Sequence, residues 1–267
     1  MTEQETFSLV PASDPGREIL EKSGLAAVPQ NFRQEEEWFD RDRDLVMPRV
    51  KLLQQMSAEC QPDPTSGKAP LVDGALPGKW FHTLTKRVLE SPVSVIVVST
   101  FKTAHYFGQD PSDACHSADM ENGSLYGACE TCRYSWKKWI EKDGKRFPPL
   151  CSETINFLAL IEGASPAAIA FMRTGLKVAR EFVSQKRALL SGFLRNWWDR
   201  PVLLGRTIKQ NAAKQTYYVP VLSFDTERVS DELTRRLAYE CYLSMKGKRI
   251  RTDLETEEER PGNAAPF

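Results

Sequence analysis

Four cysteines confined to one stretch without a core of its own constrain this chain more than any other feature. Cys115, Cys129, Cys132 and Cys151 give the spacing C-x13-C-x2-C-x18-C. Around them, residues 108–152 are dominated by Gly, cysteine and short polar stretches, and little in 108–132 is able to build an apolar core. Such a segment folds only if something other than hydrophobic burial orders it. Cys129-Glu130-Thr131-Cys132 sets two thiols on one tight turn, within the reach of a tetrahedral Zn²⁺. The whole spacing is close to zinc-ribbon arrangements, though not a standard one. It predicts structural zinc on Cys115, Cys129, Cys132 and Cys151, with His116 as a possible substitute for Cys115. Four thiolates fill the shell and leave no open catalytic position. A zinc deaminase needs H-x-E and then P-C-x-x-C. Here Ala118 stands where the Glu would be, and Ala128 precedes Cys129. Cys60 and Cys241 read as lone buried thiols.

Charge is balanced overall, with 36 basic and 36 acidic residues, but it is unevenly spread. Residues 1–45 hold 5 Lys or Arg against 11 Asp or Glu, and residues 253–267 hold 1 against 5. The middle, 46–252, is left with 30 against 20, a net of +10. A cationic body between acidic ends suits a polyanion binder with competing tails. The first ten residues lack the basic and apolar regions of a secretory signal. No apolar run approaches the ~18 residues that span a bilayer. The expectation is a cytoplasmic protein, in the host cytoplasm if phage-encoded, where cysteines favour metal over disulfides.

The chain divides into an acidic arm (1–45, with one short helix at Asp14–Lys22), a core (46–246), and a basic hinge with an acidic tail (247–267). Strand patterns fall at Pro48–Gln54, Trp80–Leu84, Val93–Phe107, Ile155–Ile161 and Ala167–Met172. A helix is predicted over Gly175–Leu190, where Leu176, Ala179, Phe182 and Val183 recur at helical spacing. Val202–Lys209 and Thr216–Phe224 read as a hairpin, with Pro220 arguing for an edge or a bulge. Ser230–Met245 reads as a second helix capped by Ser230. The fold class is therefore mainly β (α+β): an OB-like antiparallel barrel with a zinc-binding insertion at about 108–152 and flanking helices.

No P-loop, G-x-G-x-x-G, H-E-x-x-H or G-x-S-x-G is present, so no enzymatic activity is expected. An alternative is a nucleic-acid enzyme with a site assembled from dispersed acids such as Asp110, Asp113 and Asp119. Rings interleaved with cations are plentiful. Lys79 precedes Trp80, and Lys102 lies near Tyr106. Arg133, Tyr134, Trp136, Lys137, Lys138 and Trp139 form the densest cluster. Lys209, Lys214, Tyr217 and Tyr218 flank the predicted hairpin turn. Single-strand binders need this pairing, because rings stack on bases while cations follow the phosphates. Trp197-Trp198 is a further candidate, although Pro201 marks a packed corner.

The chain ends in an acidic run, a Pro/Gly/Ala spacer and a terminal Pro-Phe. In Glu257, Glu258, Glu259, Pro266 and Phe267 this tail resembles those of single-stranded DNA-binding (SSB) proteins, which close in an acidic tip with Pro-Phe or an acidic tail with Phe. With the cationic β-rich body and the metal insertion, the organisation of 46–267 resembles phage replication SSB proteins. Some of those carry zinc within an OB-fold. The four-cysteine set departs from the His-plus-three-Cys pattern known in some of them, unless His116 replaces Cys115. The resemblance implies a sequence-tolerant single-stranded DNA-binding protein coating replication or recombination intermediates. Its tail would recruit replication or recombination proteins through Glu257–Glu259, Pro266 and Phe267. The alternative is a zinc-containing interaction factor of a phage replication or host-takeover complex that does not bind DNA.

Overall fold

The apolar run Val93–Val98, broken only by Ser94, needs both of its faces covered, and the fold is arranged around that need. In the computed structural model, the described residues are 47–250 except 64, 109, 162–164, 190–195 and 248–249. The expected arm, with its helix at 14–22, and the tail lie outside them. The first strands are β1 (Val50–Leu52), β2 (Trp80–His82), β3 (Arg87–Leu89) and the long β4 (Val93–Tyr106). The insertion carries β5 (Cys115–Ser117), β6 (Asn122–Gly123), β7 (Gly127–Ala128), β8 (Ile140–Lys142) and β9 (Lys145–Phe147). Then come β10 (Cys151–Ile161), β11 (Ser165–Met172), helix α1 (Thr174–Leu189), β12 (Val202–Gln210), β13 (Thr216–Phe224) and helix α2 (Glu232–Met245).

The main sheet is antiparallel, in the order β11-β10-β4-β12-β13. β4 pairs with β10 along most of its length. Its other edge is shared, with β12 beside Val93–Val95 and β5 beside Ala104–Tyr106. A bulge between Leu158 and Ala159 inserts one extra β4 residue, Val98, opposite β10. On one face, Val95, Val97, Phe157, Ala159 and Phe171 pack against Ala179 and Phe182 of α1. On the other, Ile96, Val98, Leu158 and Leu160 pack under α2 through Ala238. Trp197 and Trp198 straddle these two cores. Trp197 meets Phe157 and Phe182, while Trp198 meets Tyr239 and Tyr242. They form the packed corner that Pro201 signals.

The expected mainly β architecture with flanking helices is present, and its sheets are antiparallel. A closed barrel is not formed among the described residues, because β11 and β13 end the strand path without pairing. Residues on either side of β1 occupy that side instead. Arg49 bridges Ala168 of β11, and the Gln54 side chain hydrogen-bonds both the N–H and the carbonyl of Tyr218 on β13 (3.0 and 2.9 Å). Pro220 sits on β13, an edge strand, where its missing N–H leaves no donor unpaired. The α2 cap is Asp231 and not Ser230. The Asp231 carboxylate accepts from the Thr234 N–H at 2.7 Å, while Ser230 is buried beneath the helix start. Among the described residues, no helix is long and apolar enough to cross a membrane.

Candidate metal centre and nucleic-acid interface

Between 107 and 150 the buried described residues are Ser117, Cys129 and Ser135. The insertion therefore has no hydrophobic core beyond a single thiol. What it has is a pocket that Cys115, Cys129, Cys132 and Cys151 all line. Three pieces of backbone deliver them. β5 pairs with the end of β4 and sets Cys115 opposite Tyr106. The small β6–β7 hairpin then leads into the turn holding Cys129 and Cys132, whose N–H donates to the Ala128 carbonyl at 3.1 Å. Cys151 opens β10, again opposite Tyr106, and its N–H donates to the Tyr134 carbonyl at 3.0 Å.

Backbone donors point at the sulfurs. Leu125 N–H reaches Cys115 Sγ at 3.5 Å, and Tyr134 N–H reaches Cys132 Sγ at 3.4 Å. A third donor, the Trp136 N–H, lowers the Cys151 thiol pKa. Burial outweighs it and, helped by Cys129, Cys115 and Cys132, pushes that pKa up to about 12. A thiol held as Cys151 is resists ionising unless a cation joins it, and a dication reverses that cost. Among the described residues no three His, Cys, Asp or Glu side chains already stand at metal-holding separation. The four sulfurs share a pocket without being drawn into a ligand shell. The donor set and the N–H···S bonds fit zinc.

His116, the possible substitute for Cys115, does not line this pocket. Strand alternation in β5 turns the two to opposite faces, and His116 pairs with His105 instead, Nδ1 to Nδ1 at 3.1 Å. His105 Nε2 lies 3.1 Å from Thr103 Oγ1, which accepts from Asn156 Nδ2 at 3.0 Å. Asp119 is likewise structural. It accepts from Glu121 N–H and Asn122 N–H (both 2.8 Å) and from Ser117 Oγ (3.1 Å). The Asn122 N–H bond is the largest influence on its carboxyl, which is held at about 2. A depressed folded pKa gives stability that is present above the ordinary carboxylate range and lost as pH falls through the folded value. Amide protection in 119–123, taken relative to the intrinsic exchange rate, should therefore fall between about pH 4 and pH 2, and Asp119→Ala should remove that step.

Gly123 is the position sequence reasoning missed. A Cβ there would sit 2.6 Å from Cys115 Sγ and 3.9 Å from Cys129 Sγ. The glycine is needed for space, because two sulfurs close over it. Gly123→Ala should lower metal content and destabilise the insertion without touching the main sheet. Elemental analysis and amide exchange of the variant test this, and full metal content would contradict it.

A family model of the Pam3 phage gp34-like protein matches residues 27–251. The chain belongs to that family. The match takes in every described residue and agrees with the expected phage type. No curated protein and no solved structure matches the chain.

The predicted binding residues separate by burial. Trp80 is 2% exposed and belongs to the core beside Val50 and Leu89, so no base can reach its ring. Lys79 is half-buried and paired with Glu90 at 2.6 Å. Lys102 pairs with Glu153 at 2.7 Å. Tyr106 and Tyr134 stack on each other with centroids 4.2 Å apart, and the Arg133 guanidinium lies 4.6 Å from the Tyr134 centroid. Little of the Tyr134 ring is left for a base. Trp136 is half-buried against the cysteine pocket, with Lys137 Nζ 5.8 Å from its ring.

Trp139 differs from these. It is 51% exposed, with the Arg146 guanidinium 4.7 Å from its centroid. It leads into the β8–β9 hairpin, every residue of which is exposed. Arg133, Lys137 and Lys138 are exposed nearby in the chain. Lys209 and Lys214 are exposed on the β12–β13 hairpin. Tyr217 is half-buried, and Tyr218 packs on Gly78 and Arg206. Glu257, Glu258, Glu259, Pro266 and Phe267 lie outside the described residues.

Proposed function

We propose that the chain is a sequence-tolerant single-stranded DNA-binding protein of a phage, without enzymatic activity, whose zinc-built insertion carries much of the DNA-contacting surface. One observation carries this reading. A coreless insertion gathers four cysteines around one pocket and turns Arg133, Lys137, Lys138 and Trp139 outward. Cations beside an exposed ring are what phosphates and a stacked base require. In this reading Cys115, Cys129, Cys132 and Cys151 hold the metal, which supplies the missing core.

The strand path supports an OB-like origin. Three strands meander (β4, β10, β11), a helix follows, and a hairpin (β12–β13) returns to the free edge of the first strand. An OB-fold has five strands in that order in a partly open barrel, and its 1–2 and 4–5 loops grip oligonucleotides. The cysteine insertion is the 1–2 connection here, and Lys209 and Lys214 flank the 4–5 turn. Because α2 covers the outer face of β4 and β10, the loops are left as the more accessible surface.

The acidic tail would compete with DNA for the cationic surface, and Pro266-Phe267 would recruit replication or recombination proteins. A gel shift with single-stranded DNA, duplex DNA and single-stranded RNA at two salt concentrations tests the reading. Full-length protein should prefer single strands, lose affinity as salt rises, and bind more tightly at low salt once 253–267 are removed. No shift with any single strand would overturn it.

A further inference from the structure

Helix α2 has one face committed to the sheet and one that is not. Ala238, Cys241, Tyr242 and Met245 pack over Ile96, Val98 and Leu160. Away from the sheet Leu233 and Leu243 are 58 and 50% exposed, and on the two flanks Leu237 is 37% and Tyr239, whose ring also meets Trp198, 50% exposed. Four large apolar side chains on the outside of a 14-residue helix are costly to leave in water. Between them runs one ion pair, Arg236 Nε to Glu240 Oε1 at 3.1 Å.

The order of these residues says what covers them. Counted outward from position 238, each has a mate at equal distance. Leu237 matches Tyr239, Arg236 matches Glu240, and Leu233 matches Leu243. Two such helices laid antiparallel across a two-fold axis at the level of 238 would bring Leu233 beside Leu243 of the other copy and Arg236 beside its Glu240, with Leu237 and Tyr239, about 200° apart around the helix, at the two edges of the seam. Apolar then meets apolar, and arginine meets glutamate twice. The acidic start of one helix, Asp231 and Glu232, would lie towards the Lys246 end of the other, and the helix dipoles would oppose. An unrelated partner has no reason to impose this symmetry.

We propose that the outer face of α2 is the interface of a two-fold dimer of this chain, with Leu233, Leu237, Tyr239 and Leu243 as its apolar contacts and Arg236–Glu240 exchanged between copies. The dimer does not depend on DNA binding. Sedimentation equilibrium of the full-length protein without DNA should give a dimer. Leu237→Asp should sediment as a monomer at concentrations where the wild type is dimeric, with unchanged thermal unfolding of the dilute protein.

The sharper test uses charge. Arg236→Glu puts like charges at all four exchanged positions, and so does Glu240→Arg with the opposite sign. Each variant alone should be monomeric, while an equimolar mixture of the two should form a dimer, because every acidic pair then meets a basic one. A wild type that stays monomeric, or a wild-type dimer unaffected by all three substitutions, would overturn the proposal. The latter result would assign the dimer to another surface.

Discussion

Removing the metal, or replacing Cys129 and Cys132 together by serine, should unfold the insertion while the main sheet survives. Structural zinc sites in small peptides contribute roughly 10–16 kcal/mol of apparent folding free energy, more than any single apolar contact. The insertion has nothing to substitute for it, since its buried described residues are two serines and one of the cysteines. The sheet does not share this dependence. Val95, Val97, Phe157 and Phe171 are at most 1% exposed in a core that none of the insertion's residues enters. Amide exchange resolved by peptide should therefore show 115–147 losing protection on chelation, while 93–98 and 155–161 keep theirs. Equal protection of the insertion in metal-free protein would show that it is ordered by something else.

The second large contrast lies between two tryptophans that look alike in sequence, each beside a lysine. Trp80→Ala should destabilise the fold by about 3–5 kcal/mol, the range for deleting a buried large aromatic. The ring is 2% exposed and packs with Val50 and Leu89. Its effect on DNA should follow the folded fraction alone. Trp139→Ala should leave the melting temperature unchanged, because the ring is 51% exposed. It should weaken single-strand binding by ~1–3 kcal/mol, the worth of one stacked base. Paired thermal melts and DNA titrations of the two variants give opposite patterns if this division holds.

The same pair shows where sequence reading succeeds and stops. Strands and helices with strong periodicity were legible to within a few residues. Examples are β4 at Val93–Tyr106 against a predicted Val93–Phe107, and α1 at Thr174–Leu189 against Gly175–Leu190. The grouping of Cys115, Cys129, Cys132 and Cys151 was legible because metal spacing is local chemistry. The five short strands β5–β9 were not, since two- and three-residue strands built from Gly, Ser, Cys and Lys carry no apolar alternation.

The failure over Trp80 has a different cause. Both faces of a strand residue look the same in sequence, and only tertiary packing decides which one meets water. His116 could have been separated from Cys115 by strand alternation, had β5 been visible. Gly123 offered no signal, because its role is to be absent from a space two sulfurs occupy. The covering of the β13 end of the open sheet was equally hidden. It depends on Gln54, a polar side chain that takes up both backbone groups of Tyr218.

The central claim joins the metal to the DNA-binding surface, and one measurement addresses both. Fluorescence anisotropy of a labelled single-stranded oligonucleotide is titrated with full-length protein, metal-loaded and then stripped by a chelator that is dialysed away, at low and moderate salt. The account predicts about one zinc per chain, on the stoichiometry of a closed tetrahedral site. Binding should be tight and salt-sensitive in the loaded protein, weakened in the stripped protein at both salts, and recovered when zinc is returned. Identical binding curves for loaded and stripped protein, with the metal loss verified by elemental analysis, would contradict it.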